Sequence, residues 1–179
     1  MLWPFKHFRS SAPSGGTIEA IYGMIVAQAR QPAFYASLDV PDTVNGRFDM
    51  LVLHLWPVLR RLRAVAAADL AQQLFDRFCT DMDGNLREMG VGDLTVPKRM
   101  QAFGEAFYGR TAAYDAALAA GGEALAAAID RNVLNGAHPD SAAQIAAYMT
   151  TVLAALEPLD RAALTGADWR FPAPPSGSN

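Results

Sequence analysis

The chain has 179 residues, 51% of them hydrophobic, and a formal net charge of −3 at pH 7. That length supports one domain with its own core, and the mild negative charge gives no general case for binding nucleic acid. No apolar run reaches the ~18 residues that a membrane span needs, and a lone cysteine, Cys79, excludes an internal disulfide framework and argues against a cysteine-based metal site.

Residues 1–16 mix Trp3, Phe5, Phe8, Lys6 and Arg9 with SSAPSGG and contain no apolar stretch of the secretory type. They read as a flexible tail; aromatics beside cations also suit a lipid interface or a docking partner. Thr17 is the expected N-cap of a first helix whose apolar face is Ile18, Ile21, Tyr22, Ile25, Val26 and Ala29. Pro32 stops it. The loop QPAFYASLDVPDT follows, and its Phe34, Tyr35, Leu38 and Val40 either plug a core edge or form a binding surface. A second helix starts near Thr43 or Asn45 and buries Phe48, Leu51, Val52, Leu55, Val58, Leu59 and Leu62, a face broad enough for several neighbours. Pro57 inside it predicts a bend near His54–Trp56. It ends in Arg60, Arg61 and Arg63, either a solvated end that complements the helix dipole or a patch for an acidic partner.

The stretch Phe75–Arg110 is the most distinctive. Leu70, Leu74, Phe78, Met82, Leu86 and Met89 recur every three or four residues and share one helix face. Asp69 and Gln72 have the spacing of a capping box. Gly90 suits a left-handed helix end. After Gly92, Thr95 is the expected N-cap and Pro97 sits in the first turn of another helix, with Val96, Met100, Phe103, Phe107, Tyr114 and Leu118 buried. The corner between them carries Asp81, Asp83, Arg87, Glu88, Asp93, Lys98 and Arg99. An Asp83–Arg87 pair four apart on a helix is worth only about 0.2–0.5 kcal/mol, and Glu88 is within reach of Lys98 or Arg99. The corner is therefore either an orienting surface network or a rigid charged edge that recognises a partner.

Gly121–Gly122 turns the chain into a helix over 123–134. Asn135–Gly136 breaks it, and Pro139 opens another helix that Pro158 ends. Residues 160–164 form at most a short turn. The Pro/Ser-rich end, 169–179, reads as a disordered tail. With no strand alternation and no internal repeat, the expected fold is all-α: one domain of about six or seven helices over residues 17–168, between two tails.

No metalloprotease, nucleophile-elbow, P-loop or dinucleotide-binding motif occurs. His7, His54 and His138 lie far apart, and His54 sits on an apolar helix, where it is more often a satisfied core residue than a ligand. Asp81–Asn85 imitates a calcium loop, but positions six and twelve are Leu86 and Gly92 instead of glycine and glutamate. No cofactor, metal or catalytic residue is predicted.

In YGMIVAQARQPAFY (22–35), VPDTVNGRFDMLVLHL (40–55), VLRRL (58–62), DMDGNLREMGVGDLTVPKRM (81–100) and AFYGR (106–110), the chain resembles the ubiquinol–cytochrome c chaperone family. The resemblance covers roughly Tyr22–Leu118. It implies an all-helical, non-enzymatic assembly factor for cytochrome b of respiratory complex III. The mitochondrial members work with a small helper protein near the ribosome exit and hold the client until haem insertion. This chain starts almost at its first helix, so it looks like a bacterial member, cytoplasmic or peripheral on the inner face of the membrane. Cytochrome b offers apolar helix ends and loops that are positive on the cytoplasmic side. Asp81, Asp83, Glu88 and Asp93 are then the expected acidic contacts, with Phe34, Tyr35 and Trp56 the apolar ones. Arg87, Gly90, Gly92, Lys98 and Arg99 shape the corner. A rival reading is a helical carrier or enzyme for a quinone or haem, with His54 and aromatics lining a closed pocket. A helical docking module for another membrane assembly shares every one of these features.

Overall fold

Apolar residues at three- and four-residue spacing can share a buried side only on a helix. The computed structural model, which describes residues 15–175, contains eight helices and no strand among them. They are α1 (Gly15–Ala29), α2 (Pro32–Ser37), α3 (Val44–Ala64), α4 (Ala68–Glu88), α5 (Val96–Ala120), α6 (Ala124–Val133), α7 (Pro139–Leu156) and α8 (Arg161–Gly166). Six are long, while α2 and α8 are single short stretches of six residues. Residues 1–14 and 176–179, which hold most of the expected N-terminal tail and the last part of the C-terminal one, lie outside the described residues.

Helix α3 is the axle. It packs against α1, α4, α5, α6 and α7, and every residue from Phe48 to Leu59 is buried. Each large side chain fully buried there contributes about 1.5–3 kcal/mol of transfer free energy. The helix runs on through Pro57, whose missing N–H leaves the Leu53 carbonyl without its usual donor. Its start is tightly specified: the Thr43 hydroxyl accepts from the Gly46 N–H at 3.1 Å, and a Cβ on Gly46 would lie 1.9 Å from the Pro41 carbonyl oxygen. Gly46→Ala must therefore displace backbone, and a loss of about 2–3 kcal/mol is expected in urea unfolding. An unchanged midpoint would show that the 41–46 turn yields freely.

Several local expectations change. Helix α1 starts at Gly15, so Thr17 lies within its first turn. Asp69 and Gln72 form no capping box. Asp69 instead takes both terminal nitrogens of Arg161 at 3.1 and 2.7 Å, and Gln72 bonds Asp76. Met89 is 58% exposed rather than part of the buried stripe, because α4 has ended beneath it. Gly90 does close α4: at φ 81° it lets its own N–H reach Arg87 O and the Val91 N–H reach Leu86 O, both at 3.0 Å. That pair of bonds satisfies carbonyls the helix end would otherwise leave open.

At the far end, residues 169–172 pack down. Trp169 is buried and donates from Nε1 to Leu164 O at 3.2 Å. Phe171 meets Trp169 and His54 edge-on, and the Pro172 carbonyl accepts from Gln28 at 3.0 Å. Two aromatics outweigh the Pro/Ser composition, so the segment read as a tail from residue 169 is anchored as far as Pro172.

Candidate functional site

Four helices leave a groove where α4 ends and α5 turns away. Val26 and Ala29 of α1, Val44, Phe48 and Leu51 of α3, Met82, Leu86 and Met89 of α4 and Phe103 of α5 line it, enclosing about 270 Å³. Arg30, Arg47, Asp81, Asn85 and Glu88 also border it. Val44 and Met89 are more than half exposed at this groove, and Leu94 on the adjoining corner is almost fully exposed. Apolar side chains this open, next to a recess, are the usual mark of a docking surface.

Its walls are held by polar links. Tyr22 donates its hydroxyl to Asp81 at 2.8 Å, and Arg77 donates to Glu19 at 2.7 Å while lying 4.7 Å from the centre of the Tyr22 ring. Burial, reinforced by the bond to Asp81, pushes the Tyr22 hydroxyl well above its ordinary range, so it stays a donor. Asp81 therefore ties α1 to α4. Phe48 stacks on Phe103 at 4.9 Å between ring centres, and the Arg110 guanidinium lies 5.6 Å from the centre of the same Phe48 ring. Arg110 also sits 2.8 Å from Asp49. Burial raises the Asp49 carboxyl to about 6, against the pull of Arg110.

The expected contact residues separate. Asp83, Glu88 and Asp93 lie at the corner; Arg87 donates to Asp83 at 2.6 Å and also bonds Asp93. Glu88 is exposed and forms no ion pair with Lys98 or Arg99 among the described residues, since Arg87 reaches across the corner instead. Lys98 and Arg99 are exposed at the start of α5, and the Gly92 carbonyl accepts from Thr95 and Val96. Phe34 is fully buried and Trp56 nearly so, with its Nε1 donating to Asp115 at 2.9 Å. Neither can offer an apolar contact. Tyr35 is half-buried and donates to Ala29 O. The basic cluster is also dispersed: Arg60 pairs with Asp115, Arg61 bonds Leu159 O, and Arg63 is exposed. Val44, Met89 and Leu94 are what sequence reasoning missed; only the break of periodicity at Gly90 hinted that Met89 leaves the core.

His54 lines no part of this groove. It is fully buried, with Nδ1 2.8 Å from Met50 O and Nε2 3.2 Å from the Tyr148 hydroxyl. Since a carbonyl only accepts, Nδ1 carries the proton and Nε2 accepts. Phe34, Tyr148 and Phe171 pack around the ring, which removes the closed ligand pocket that the carrier reading places there. Among the described residues no three acidic, histidine or cysteine side chains are placed to hold a metal ion, and no helix is long and apolar enough to cross a membrane.

An open apolar groove beside a charged corner, on an all-helical body, has the form of a surface for docking. The chain belongs to the ubiquinol–cytochrome c chaperone family, whose family model matches residues 36–171. It is 40% identical to the Cbp3 homolog from Brucella abortus, whose crystal structure superposes with a TM-score of 0.80 over 88% of this chain and 90% of that one. It is also 27% identical, over 117 residues, to ubiquinol-cytochrome-c reductase complex assembly factor 1 of Xenopus laevis. That match covers 64% of this chain and spans 58% of the frog relative's length.

Proposed function

We propose that the chain is an assembly chaperone for ubiquinol–cytochrome c reductase, respiratory complex III, and that its client is newly made cytochrome b. The observation that carries the reading is the groove between α1, α3, α4 and α5, with Val44 and Met89 open at its mouth and Asp83, Glu88 and Asp93 beside it, in a chain of this family. An apolar helix end followed by a positively charged loop matches both parts. Holding such a client needs no covalent step, so the protein acts by binding and release, without catalysis. It works in the cytoplasm or against the inner face of the membrane, beside a small helper protein and the ribosome as the family resemblance implies.

Capture of the tagged protein from its native membranes, in cells assembling complex III, should bring down cytochrome b. A clean absence of cytochrome b would overturn the reading. The corner gives a finer test. Each exposed charge contributes roughly 0.2–1 kcal/mol to such contacts, so Asp83→Ala, Glu88→Ala and Asp93→Ala together should weaken binding of a basic cytochrome b loop peptide about ten-fold at low salt. Helical content should not change. Equal affinity in the triple variant would remove the acidic edge from the interface.

A further inference from the structure

We propose that residues 169–172 are a releasable strap that braces α1 from behind the groove, and that its undocking lets the α1 wall move and frees the client. One helix serves both sides. Val26, Ala29 and Arg30 of α1 line the groove. Met24 and Gln28 meet the strap: Arg170 donates to Met24 Sδ at 3.5 Å, and Gln28 donates to Pro172 O at 3.0 Å. At about 100° per residue, Met24 and Gln28 lie about 180° around the helix from the centre of the groove set. Ile21 and Ile25, both fully buried, fall between the two sets. Helix α1 therefore rests on the core along these isoleucines, with the groove at one edge and the strap at the other.

The two halves of α1 are held differently. Arg77–Glu19 and Tyr22–Asp81 tie its first half to α4. Gly23 follows, with no side chain to pack. The second half carries the groove residues, and its polar links run to α2, α7 and the strap. Tyr35 donates to Ala29 O at 2.8 Å, and Gln28 commits its amide hydrogens to Pro172 O and to the Tyr148 hydroxyl. The Tyr148 proton in turn goes to His54 Nε2, since His54 Nδ1–H is taken by Met50 O. The chain of bonds thus has one direction and ends on the strap. Losing the strap strips a partner from Gln28 and from the edge of the His54 ring, and it removes the brace from the half of α1 that forms the groove wall. The strap itself is built to open alone. It has no regular secondary structure. Two aromatic side chains and the bonds of Trp169, Arg170 and Gln28 hold it against the entropy of fixing its backbone. It leaves α8 through Ala167, an alanine in the left-handed region at φ 55°, which an L side chain adopts only at a cost. Short segments held by so few contacts open without the rest of the fold. The brace stands independently of the client; its part in release rests on the client reading.

Spin labels on Ala27→Cys in α1 and Asn45→Cys in α3, both exposed sites, report the position of this wall in a Cys79→Ser background. The otherwise unaltered full chain should give a single narrow distance. Gln28→Leu removes the donor at similar size, and Trp169→Ala with Phe171→Ala removes both anchoring rings. Each should broaden the distance while keeping helical circular dichroism, and each should release a bound cytochrome b loop peptide about ten-fold faster. Val133→Ala, buried in α6 where that helix packs on α3, α5 and α7, lowers stability as a control and should change neither readout. Unchanged distances in the strap variants would overturn the brace, as would equal broadening in Val133→Ala. Broadened distances with unaltered peptide release would overturn the role in release. If the double variant fails to fold, Gln28→Leu decides by itself. A peptide that does not bind the unaltered chain would remove the client reading instead, and the distances still decide the brace.

Discussion

Replacing Phe34 by alanine is expected to lower the unfolding free energy by about 3–5 kcal/mol, a third or more of what a domain usually has. The ring is fully buried. It meets His54 and Tyr148 edge-on, at 5.3 and 5.4 Å between centres, so its removal leaves a cavity walled by two other rings that are themselves hydrogen-bonded in place. Urea unfolding measures the loss. Val44→Ala, at a side chain more than half exposed, should shift stability by less than about 0.5 kcal/mol and act on client binding instead. The two variants thus separate a residue that builds the protein from one that serves its surface. Near-native stability in Phe34→Ala would place the α2 segment outside the core.

The second large effect is hidden in the unaltered protein and appears only in variants. Burial drops His54 from 6.5 to about 4 and lifts Asp49 from 3.8 to about 6. Each difference amounts to roughly 3 kcal/mol of linkage. For His54 the unfolded chain binds the extra proton between about pH 4 and 6.5, so acidification through that window destabilises the fold. Asp49 works in the opposite direction: between 3.8 and about 6 the folded chain holds the extra proton, so acidification stabilises. Over pH 4–6 the two contributions cancel. Asp49→Asn should therefore lose about 3 kcal/mol more than the unaltered protein when taken from pH 6.5 to 4, and His54→Gln should lose about 3 kcal/mol less. Asp42 and Asp69, held low by hydrogen bonds from Arg47 and Arg161, lose their contributions below that window. Parallel stability profiles for all three proteins would show that neither group is shifted.

Much of the framework was legible because local rules decided it. The Leu70–Leu74–Phe78–Met82–Leu86 stripe, the turn at Gly90 and Pro97 in a first turn each depend on residues a few positions apart, and each stands where the pattern puts it. The candidate site was legible only as a charged corner. Whether Phe34 and Trp56 face inward depends on His54, Tyr148 and Asp115, which approach them only through tertiary packing. The same holds for Tyr22–Asp81, which are 59 positions apart. Composition misled at the C-terminus, where prolines and serines surround two aromatics that find partners on distant helices. The groove itself is a property of four helices at once. Its signature in sequence, an apolar residue just past a helix end, is shared by many residues that line nothing.

The anchoring of Phe171 and Pro172 has a consequence for timing during synthesis. Gln28 donates to Pro172 O and to the Tyr148 hydroxyl, and the first of these partners is made 144 positions after it. At about 5–20 residues per second, α1 leaves the ribosome roughly 7–30 s before the segment that seals it exists. For that interval the nascent chain has an unfinished interior, with the His54 ring and the Gln28 amide lacking their last neighbours. Completion waits for Phe171 and Pro172, so this part of the interior closes late, well after the helices it seals have been made.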